Sequence, residues 1–553
     1  MGTGSVLWGV LAPMASRCRS VPAPICRRAN PPWSLTILVV TLLSGVAQTI
    51  AAANCDQWGR CELKLTGPAT GNPFVDVKLT AEFTQADQRI TAAGFYDGDG
   101  VYRVRFSPPT VGEWSYVTSS NAKQLDGQRG SITAAPPTGD NHGPVRVARQ
   151  FHFAYADGTP FKPLGTTCYA WTSQPDELQE RTLETLAAAP FNKVRMCVFP
   201  KRYTWNENEP PSYALEGTPP DQWEFDRFNP EFFRQLERRI DQLAGLGIQA
   251  DLILLHPYDK GHWGFDRMPA EADDRYLRYV VSRLAAFRNV WWSLANEYDF
   301  MKEKEESDWD RMIRVVTDAD PYGRLTSIHN GFQIYNHTNP RLTHASIQNG
   351  SAAEDPGRAV LYRDAYRKPI LLDEIKYEGD IPKRWGNLSA EEMTHRCWNT
   401  IIAGCYPTHG ECYLADDDIL WWAKGGVLKG QSPARLAFLK QVLDNAPAAG
   451  IDPIDKWQHP RIAGQPGAYY LVYLGKQSPE EWYFVLPKHG LEDGMRFRVD
   501  VLDAWNMTVT PIDGEFVVKQ QTPYLFADEN ERTVPLPSRP YQCVRIERVE
   551  KSE

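Results

Sequence analysis

Val290-Trp291-Trp292-Ser293-Leu294-Ala295-Asn296-Glu297-Tyr298-Asp299 is a compact apolar run that stops abruptly on an amide and a carboxylate. Six bulky or small residues with almost no polar group read as a strand buried on both faces, the kind a helix-covered parallel sheet requires. Seven more runs share that texture, at 163–168, 193–199, 249–255, 325–328, 344–347, 369–372 and 405–412. Amphipathic stretches separate them, clearest at 232–246 and 274–287, so the segment reads as repeated βα units. Eight such units in about 280 residues predict a (β/α)8 TIM barrel. A doubly wound sheet would need a glycine-rich phosphate loop after its first strand, and Gly165-Thr166-Thr167-Cys168-Tyr169 supplies none.

A barrel presents its chemistry at the C-terminal ends of its strands. Strand four ends on Asn296-Glu297, and strand seven ends on Leu371-Leu372-Asp373-Glu374-Ile375, so two carboxylates face one mouth. Acetal hydrolysis needs one carboxylic acid to protonate the leaving oxygen and one carboxylate to attack or stabilise an oxocarbenium-like centre. Asp373 competes with Glu374, but alternation along a strand predicts that only one of the two faces the mouth. Glu378, Glu411 and Asp299 read as subsite hydroxyl binders or structural acids. His256 follows strand three and His329 follows strand five. Paired mouth histidines could ligate a metal in a hydrolase of another class, yet that class places His-x-His on strand one, which is absent here, so both read as sugar-hydroxyl partners. Trp171, Tyr203, Trp263 and Trp385 fall in loops after strands one, two, three and seven, where indole and phenol faces can stack on sugars. His409 and Glu411, at the end of strand eight, are further candidate substrate binders.

Outside the barrel the texture changes. Residues 54–138 alternate apolar and polar positions, as in Val75-Asp76-Val77-Lys78-Leu79 and Tyr102-Arg103-Val104-Arg105-Phe106, and predict an immunoglobulin-like β-sandwich. The barrel domain is assigned to 139–450. From 451 to 553 strand patterns return at Tyr469-Tyr470-Leu471-Val472-Tyr473-Leu474 and Phe497-Arg498-Val499-Asp500-Val501-Leu502, predicting a second β-sandwich closed by a strand from Tyr541 to Ile546. The first 53 residues hold Arg17, Arg19, Arg27 and Arg28, an apolar run from Leu35 to Ala47 and the ending Ala51-Ala52-Ala53, the layout of a secretory signal peptide. Export implies a periplasmic or extracellular protein with no stable membrane insertion after cleavage. In an oxidising compartment Cys55 and Cys61 form the best local disulfide pair, while Cys168, Cys197, Cys397, Cys405 and Cys412 sit in apolar runs and read as buried thiols. The chain of 553 residues is 42% hydrophobic and 23% charged with a formal net charge of −9, a globular composition whose acidic balance disfavours nucleic acid as a partner.

The Asn-Glu pair after strand four with a Glu after strand seven resembles clan A, the large group of retaining (β/α)8 glycoside hydrolases. By that resemblance Glu297 is the acid/base, Glu374 the nucleophile, and Asn296 the partner of the hydroxyl beside the anomeric carbon. Arg195, in Val194-Arg195-Met196, matches the clan's arginine near the nucleophile. Phe95-Tyr96-Asp97-Gly98-Asp99-Gly100-Val101-Tyr102 and Gly112-Glu113-Trp114-Ser115-Tyr116 resemble the small sandwich that precedes barrels of the apiosidase-like group. This sequence departs from many clan members in two places. A Tyr after strand six that supports the nucleophile is replaced by Ile347-Gln348-Asn349, and a Trp at strand eight that floors the sugar site is replaced by Thr408-His409-Gly410-Glu411. The expectation is an exported, retaining glycoside hydrolase acting on a poly- or oligosaccharide without metal or organic cofactor. The competing expectation is a noncatalytic glycan-binding or cell-surface protein on the same barrel.

Overall fold

The computed structural model describes residues 54–549; the export segment expected over 1–53 lies outside the described residues. Among the described residues no helix is long and apolar enough to cross a membrane.

Seven strands between Cys55 and Ala135 build the N-terminal sandwich, with alternate side chains pointing inward, as in Cys61–Thr66, where Cys61, Leu63 and Leu65 are buried. Its core stacks Phe83 on Phe106 at 4.0 Å, with Trp114 edge-on to Phe106 at 5.1 Å. The expected disulfide joins Cys55 to Cys61, and the other described cysteines are buried free thiols. One local expectation changes: Pro73–Asp76 is a single helical turn, with Pro73 in its first turn and the Asp76 carboxylate accepting from the Asn72 N–H, and the strand starts only at Leu79.

The barrel contains all eight expected strands: Gly165–Thr167, Lys193–Cys197, Gln249–Leu255, Val290–Ala295, Thr326–Ser327, Ala345–Gln348, Ile370–Glu374 and Tyr406–His409. Neighbours run parallel in chain order, with strand eight hydrogen-bonded to strand one. Strands five and six meet through a single bridge between His329 and Ser346, which closes the ring. A short antiparallel sheet that the pattern reading missed, Val145–Ala148, His152–Tyr155 and Pro160–Phe161, stoppers the opposite end: Phe153 packs 5.4 Å from Trp291 and 5.6 Å from Tyr406, which open strands four and eight. The C-terminal domain is a nine-stranded antiparallel sheet with its own core around Phe484, Phe497 and Phe516. Its last strand, Gln542–Arg548, lies between Tyr469–Tyr473 and Arg496–Asp503 and is therefore interior to the sheet.

The middle of the barrel carries charge. Lys193 Nζ, fully buried, lies 2.9 Å from Asp251 and 2.6 Å from Asp373, and Asp373 also accepts from Thr408 Oγ1 and Ser346 Oγ. This packed polar layer is the floor beneath the mouth.

Candidate active site

Glu297 ends strand four in a left-handed turn (φ 49°) that lifts its carboxyl over the mouth, where it is 6% exposed. Glu374 reaches the same mouth for a different reason. Strand six pairs Ile347 with Leu372 but Gln348 with Glu374, so Asp373 is the extra residue of a bulge. Only one of the two faces the mouth, as expected, but through a bulge rather than simple alternation: Asp373 drops into the barrel layer while Glu374 stays at the rim.

A hydrogen-bonded frame holds both. Arg195 Nη2 donates to Asn296 Oδ1 at 2.9 Å, which leaves the Asn296 amide N–H free to face a ligand, and Arg195 Nη1 donates to Ser346 Oγ at 3.1 Å. The Tyr169 hydroxyl, from the loop after strand one, donates to Glu374 Oε1 and stands 3.3 Å from the Tyr377 hydroxyl. Ser346 gives its proton to Asp373, so His329 Nδ1–H donates to Ser346 at 2.9 Å and the His329 Nε2 edge faces Glu374 Oε1 at 3.7 Å.

The two carboxyls are driven apart electrostatically. Burial, then the charge of Glu374, pushes Glu297 up to about 8, with Lys201 offsetting only part of the rise. Burial alone would raise Glu374 too, but His329 in its protonated form, the Tyr169 hydroxyl and the Arg195 charge outweigh it and hold that carboxyl down to about 2. Burial and Arg195 favour the neutral imidazole at His329. For that form the hydroxyl and the guanidinium are the donors that keep Glu374 ionised. One group is thus fitted to give a proton and the other to attack.

Several expected ligand contacts are corrected. Trp171 and Trp263 are fully buried; Trp171 packs inside the barrel core, and Trp263 donates to Glu209 Oε2 at 3.0 Å, so neither offers a face to sugar. His256 spends both nitrogens on backbone, Nδ1 accepting from Tyr258 N–H at 3.1 Å and Nε2–H donating to the Phe199 carbonyl at 3.3 Å. Thr408 of strand eight points into the barrel, so His409 points outward, where it stacks on Phe191 at 4.9 Å and meets Thr166 Oγ1 at 3.2 Å. Glu411 is buried against the backbone N–H groups of Lys429 and Gly430, at 2.6 and 2.9 Å. Asp299 is structural, its carboxylate accepting from the N–H groups of Gly331, Phe332 and Gln333 at 2.5, 2.7 and 2.9 Å. Arg195, Asn296, His329, Glu297 and Glu374 do converge.

The mouth contains residues that the sequence reading passed over. Tyr169 supplies the hydroxyl to Glu374 that strand six lacks, and Trp422, on the short helix Trp421–Lys424, brings a largely buried indole to the same mouth. Trp422 packs 5.1 Å from Trp385, 6.1 Å from Tyr377 and 6.2 Å from Tyr169. The strand-one sequence did end on a tyrosine, the one available signal. Among the described residues, Glu378, His409 and Glu411 bring possible metal-ligand atoms within 4.8 Å of one another. Glu378, however, already accepts from Tyr413 Oη, Gln431 N–H, Ser432 N–H and Ser432 Oγ, a donor set that satisfies a carboxylate without a cation.

A ring of parallel strands with paired carboxylates at its C-terminal mouth defines a glycosidase-type barrel. The family described as the apiosidase-like catalytic domain matches residues 148–474, and the chain belongs to that family. Domains of unknown function DUF5060 and DUF5605 match residues 54–121 and 457–547 on either side. Among solved structures, a putative glycoside hydrolase from Bacteroides vulgatus ATCC 8482 is 43% identical, covers 90% of this chain and 100% of its own, and superposes with a TM-score of 0.87. A family 5 glycoside hydrolase from the same organism shares the fold at a TM-score of 0.56 and 16% identity, over 75% of this chain and 94% of that one. No curated protein matches the chain. The protein is a glycoside hydrolase whose substrate is a carbohydrate.

Proposed function

We propose that the protein cleaves glycosidic bonds in a poly- or oligosaccharide by double displacement with retention of anomeric configuration. The observation that carries this reading is the convergence of Glu297 and Glu374 at one mouth, with the Tyr169 hydroxyl donating to Glu374 and Arg195 holding Asn296 beside Glu297. Glu297, pushed up to about 8, and Glu374, held down to about 2, suit the acid and the nucleophile. Glu374 attacks the anomeric carbon as the bond to the leaving oxygen breaks, and that oxygen takes the proton of Glu297. Glu297, now a carboxylate, removes a proton from water as the water oxygen attacks the anomeric carbon and Glu374 departs. Asn296, its carbonyl held by Arg195, donates its amide N–H to the hydroxyl beside the reacting carbon.

An NMR time course tests the reading directly: the first-formed product keeps the substrate's configuration, and an inverted product overturns it. Glu297→Ala should lose most activity on poor leaving groups yet retain glycosylation on activated aryl glycosides, with azide restoring turnover. Glu374→Ala should lose both. A mechanism-based inactivator that labels Asp373 or Glu378 in place of Glu374 would also overturn the assignment. The reading extends to export: intact-mass analysis of the secreted protein should find about the first 53 residues removed, and full-length chain held in the membrane would refute that part alone.

A further inference from the structure

Lys201 follows strand two in the mouth, on the loop that begins beyond Cys197, and it is 4% exposed. Its ammonium lies against three aromatic faces, 3.8 Å from the centroid of Tyr169, 4.2 Å from Tyr258 and 4.8 Å from Trp422. Aromatic faces attract a cation but accept none of its N–H groups in the way an oxygen does. Among the described residues no oxygen accepts a hydrogen bond from Lys201 Nζ, and no carboxylate forms an ion pair with it. Other deeply buried cations have oxygen partners: Lys193 pairs with Asp251 and Asp373, Arg195 with Asp373, Arg283 with Asp97 and Glu237, and Arg324, without an ion pair, donates to the Ala285 carbonyl. A buried ammonium without an anion carries a large desolvation cost, which protein interiors ordinarily offset with a partner.

We propose that the missing partner is supplied by the substrate: Lys201 binds an anionic substituent, a uronic carboxylate or a sulfate ester, on the sugar held beside Glu374. This rests on the reading of Glu297 and Glu374 as the reacting pair. Lys201 leans on Tyr169, whose hydroxyl is bonded to Glu374, so it stands on the nucleophile's side of the mouth, where the sugar undergoing attack must lie. The charge of Glu374 and then Glu297 is felt at Lys201, yet burial dominates and lowers the ammonium's affinity for its proton. Glu374 and Glu297 act on it through space only, and among the described residues neither forms an ion pair with it. A ligand anion would complete the set with up to three charge-assisted hydrogen bonds. The aromatic walls meanwhile hold the ammonium in place, so little ordering is left to do on binding. The substrate class is then an acidic glycan.

The test compares aryl uronides, aryl glycosides bearing a sulfate ester and the matched neutral aryl glycosides, in both anomeric forms, on the wild-type enzyme, Lys201→Met and Lys201→Arg. The wild-type enzyme should favour one anionic group over its neutral match by about 10- to 100-fold in kcat/KM, the span of a charge-assisted hydrogen-bond set. Lys201→Met should collapse that ratio towards one, and Lys201→Arg should keep part of it. Which anionic series is favoured separates carboxylate from sulfate. A wild-type preference for neutral sugars, or an acidic preference that survives Lys201→Met, overturns the proposal and leaves the two-glutamate reading standing. A binding arm needs no turnover: calorimetry on Glu374→Gln with free glucuronate, galacturonate and sulfated monosaccharides, against glucose and galactose, should show the same Lys201-dependent preference. If the two-glutamate reading fails, this arm still decides the proposal.

Discussion

A glutamate that must donate a proton at neutral pH cannot keep its ordinary pKa near 4.3. Glu297 meets the requirement through burial and the neighbouring negative charge of Glu374, which together push it to about 8, while Glu374 sits near 2. The pH dependence follows with its sign fixed. Protonating Glu374 removes the nucleophile, so kcat/KM falls on the acid side as pH drops towards about 2. Deprotonating Glu297 removes the acid, so kcat/KM falls on the alkaline side as pH rises through about 8. The protein should therefore be active across the neutral range and lose rate above it on substrates with poor leaving groups. Aryl substrates with good leaving groups, which need no proton for the first step, should lose less. Because burial is the larger of the two causes, Glu374→Gln should lower the Glu297 pKa only partway. Carbon-13 NMR of labelled glutamate would check it; an unchanged titration would mean that the two carboxyls do not sense each other.

At the level of elements, the eight strands were legible because each is a short apolar run flanked by amphipathic helix, and the period of the pattern changes where strand gives way to helix. Glu297 and Glu374 were legible because each directly ends such a run. What escaped was set by geometry that no local pattern encodes. The direction of Asp373 depends on a bulge created by the partner strand's register. The outward turn of His409 depends on where Gly165 and Thr408 pair. Trp171 and Trp263 lie in mouth loops by sequence but fold back into the core, because loops of this size bring their own apolar packing. Tyr169, Lys201 and Trp422 come from three separate loops, and only the closed ring makes them neighbours. Behind them Glu378, on the short strand Glu378–Gly379, pairs with Glu411–Cys412, and backbone N–H groups of 429–432 saturate the two carboxylates. Activity should accordingly survive prolonged EDTA treatment, assayed with and without added divalent cation. Loss on chelation with recovery on adding metal would assign a cation to Glu378, His409 and Glu411.

Across the whole molecule, the N-terminal sandwich is keyed to the barrel by buried charge. Arg283, on the barrel helix Ala270–Leu284 and fully buried, donates to Asp97 of the sandwich at 2.9 Å and to Glu237 of the helix Pro230–Gly245 at 2.6 Å. Arg105 of the sandwich reaches the same Glu237 at 2.8 Å, and Arg103 bonds Asp97 at 2.6 Å. The contacts from Arg283 to Asp97 and from Arg105 to Glu237 form only when the two domains are docked; separation would leave Asp97 without Arg283 and Glu237 without Arg105. Glu237 is held down to about 2 because the hydrogen bonds and charges of Arg105 and Arg283 outweigh its burial. A buried pair contributes little when intact, but removal of one partner costs about 3 to 5 kcal/mol, because the other is left buried and uncompensated. Arg283→Met, which keeps the apolar stem and removes the guanidinium, should therefore loosen the docking face. The expected outcome is a separate, earlier melting step for residues 54–138 by calorimetry, together with proteolytic cleavage between the sandwich and the barrel. Glu237→Gln should loosen the face as well, since the amide keeps one acceptor oxygen, sets an NH2 against one of the arginines and removes the charge between them. A single cooperative transition at the wild-type temperature in Arg283→Met would mean that apolar packing, with Phe95 beneath Arg283 at 4.5 Å and Tyr322 hydrogen-bonded to the Arg105 carbonyl at 2.9 Å, suffices to hold the domains together.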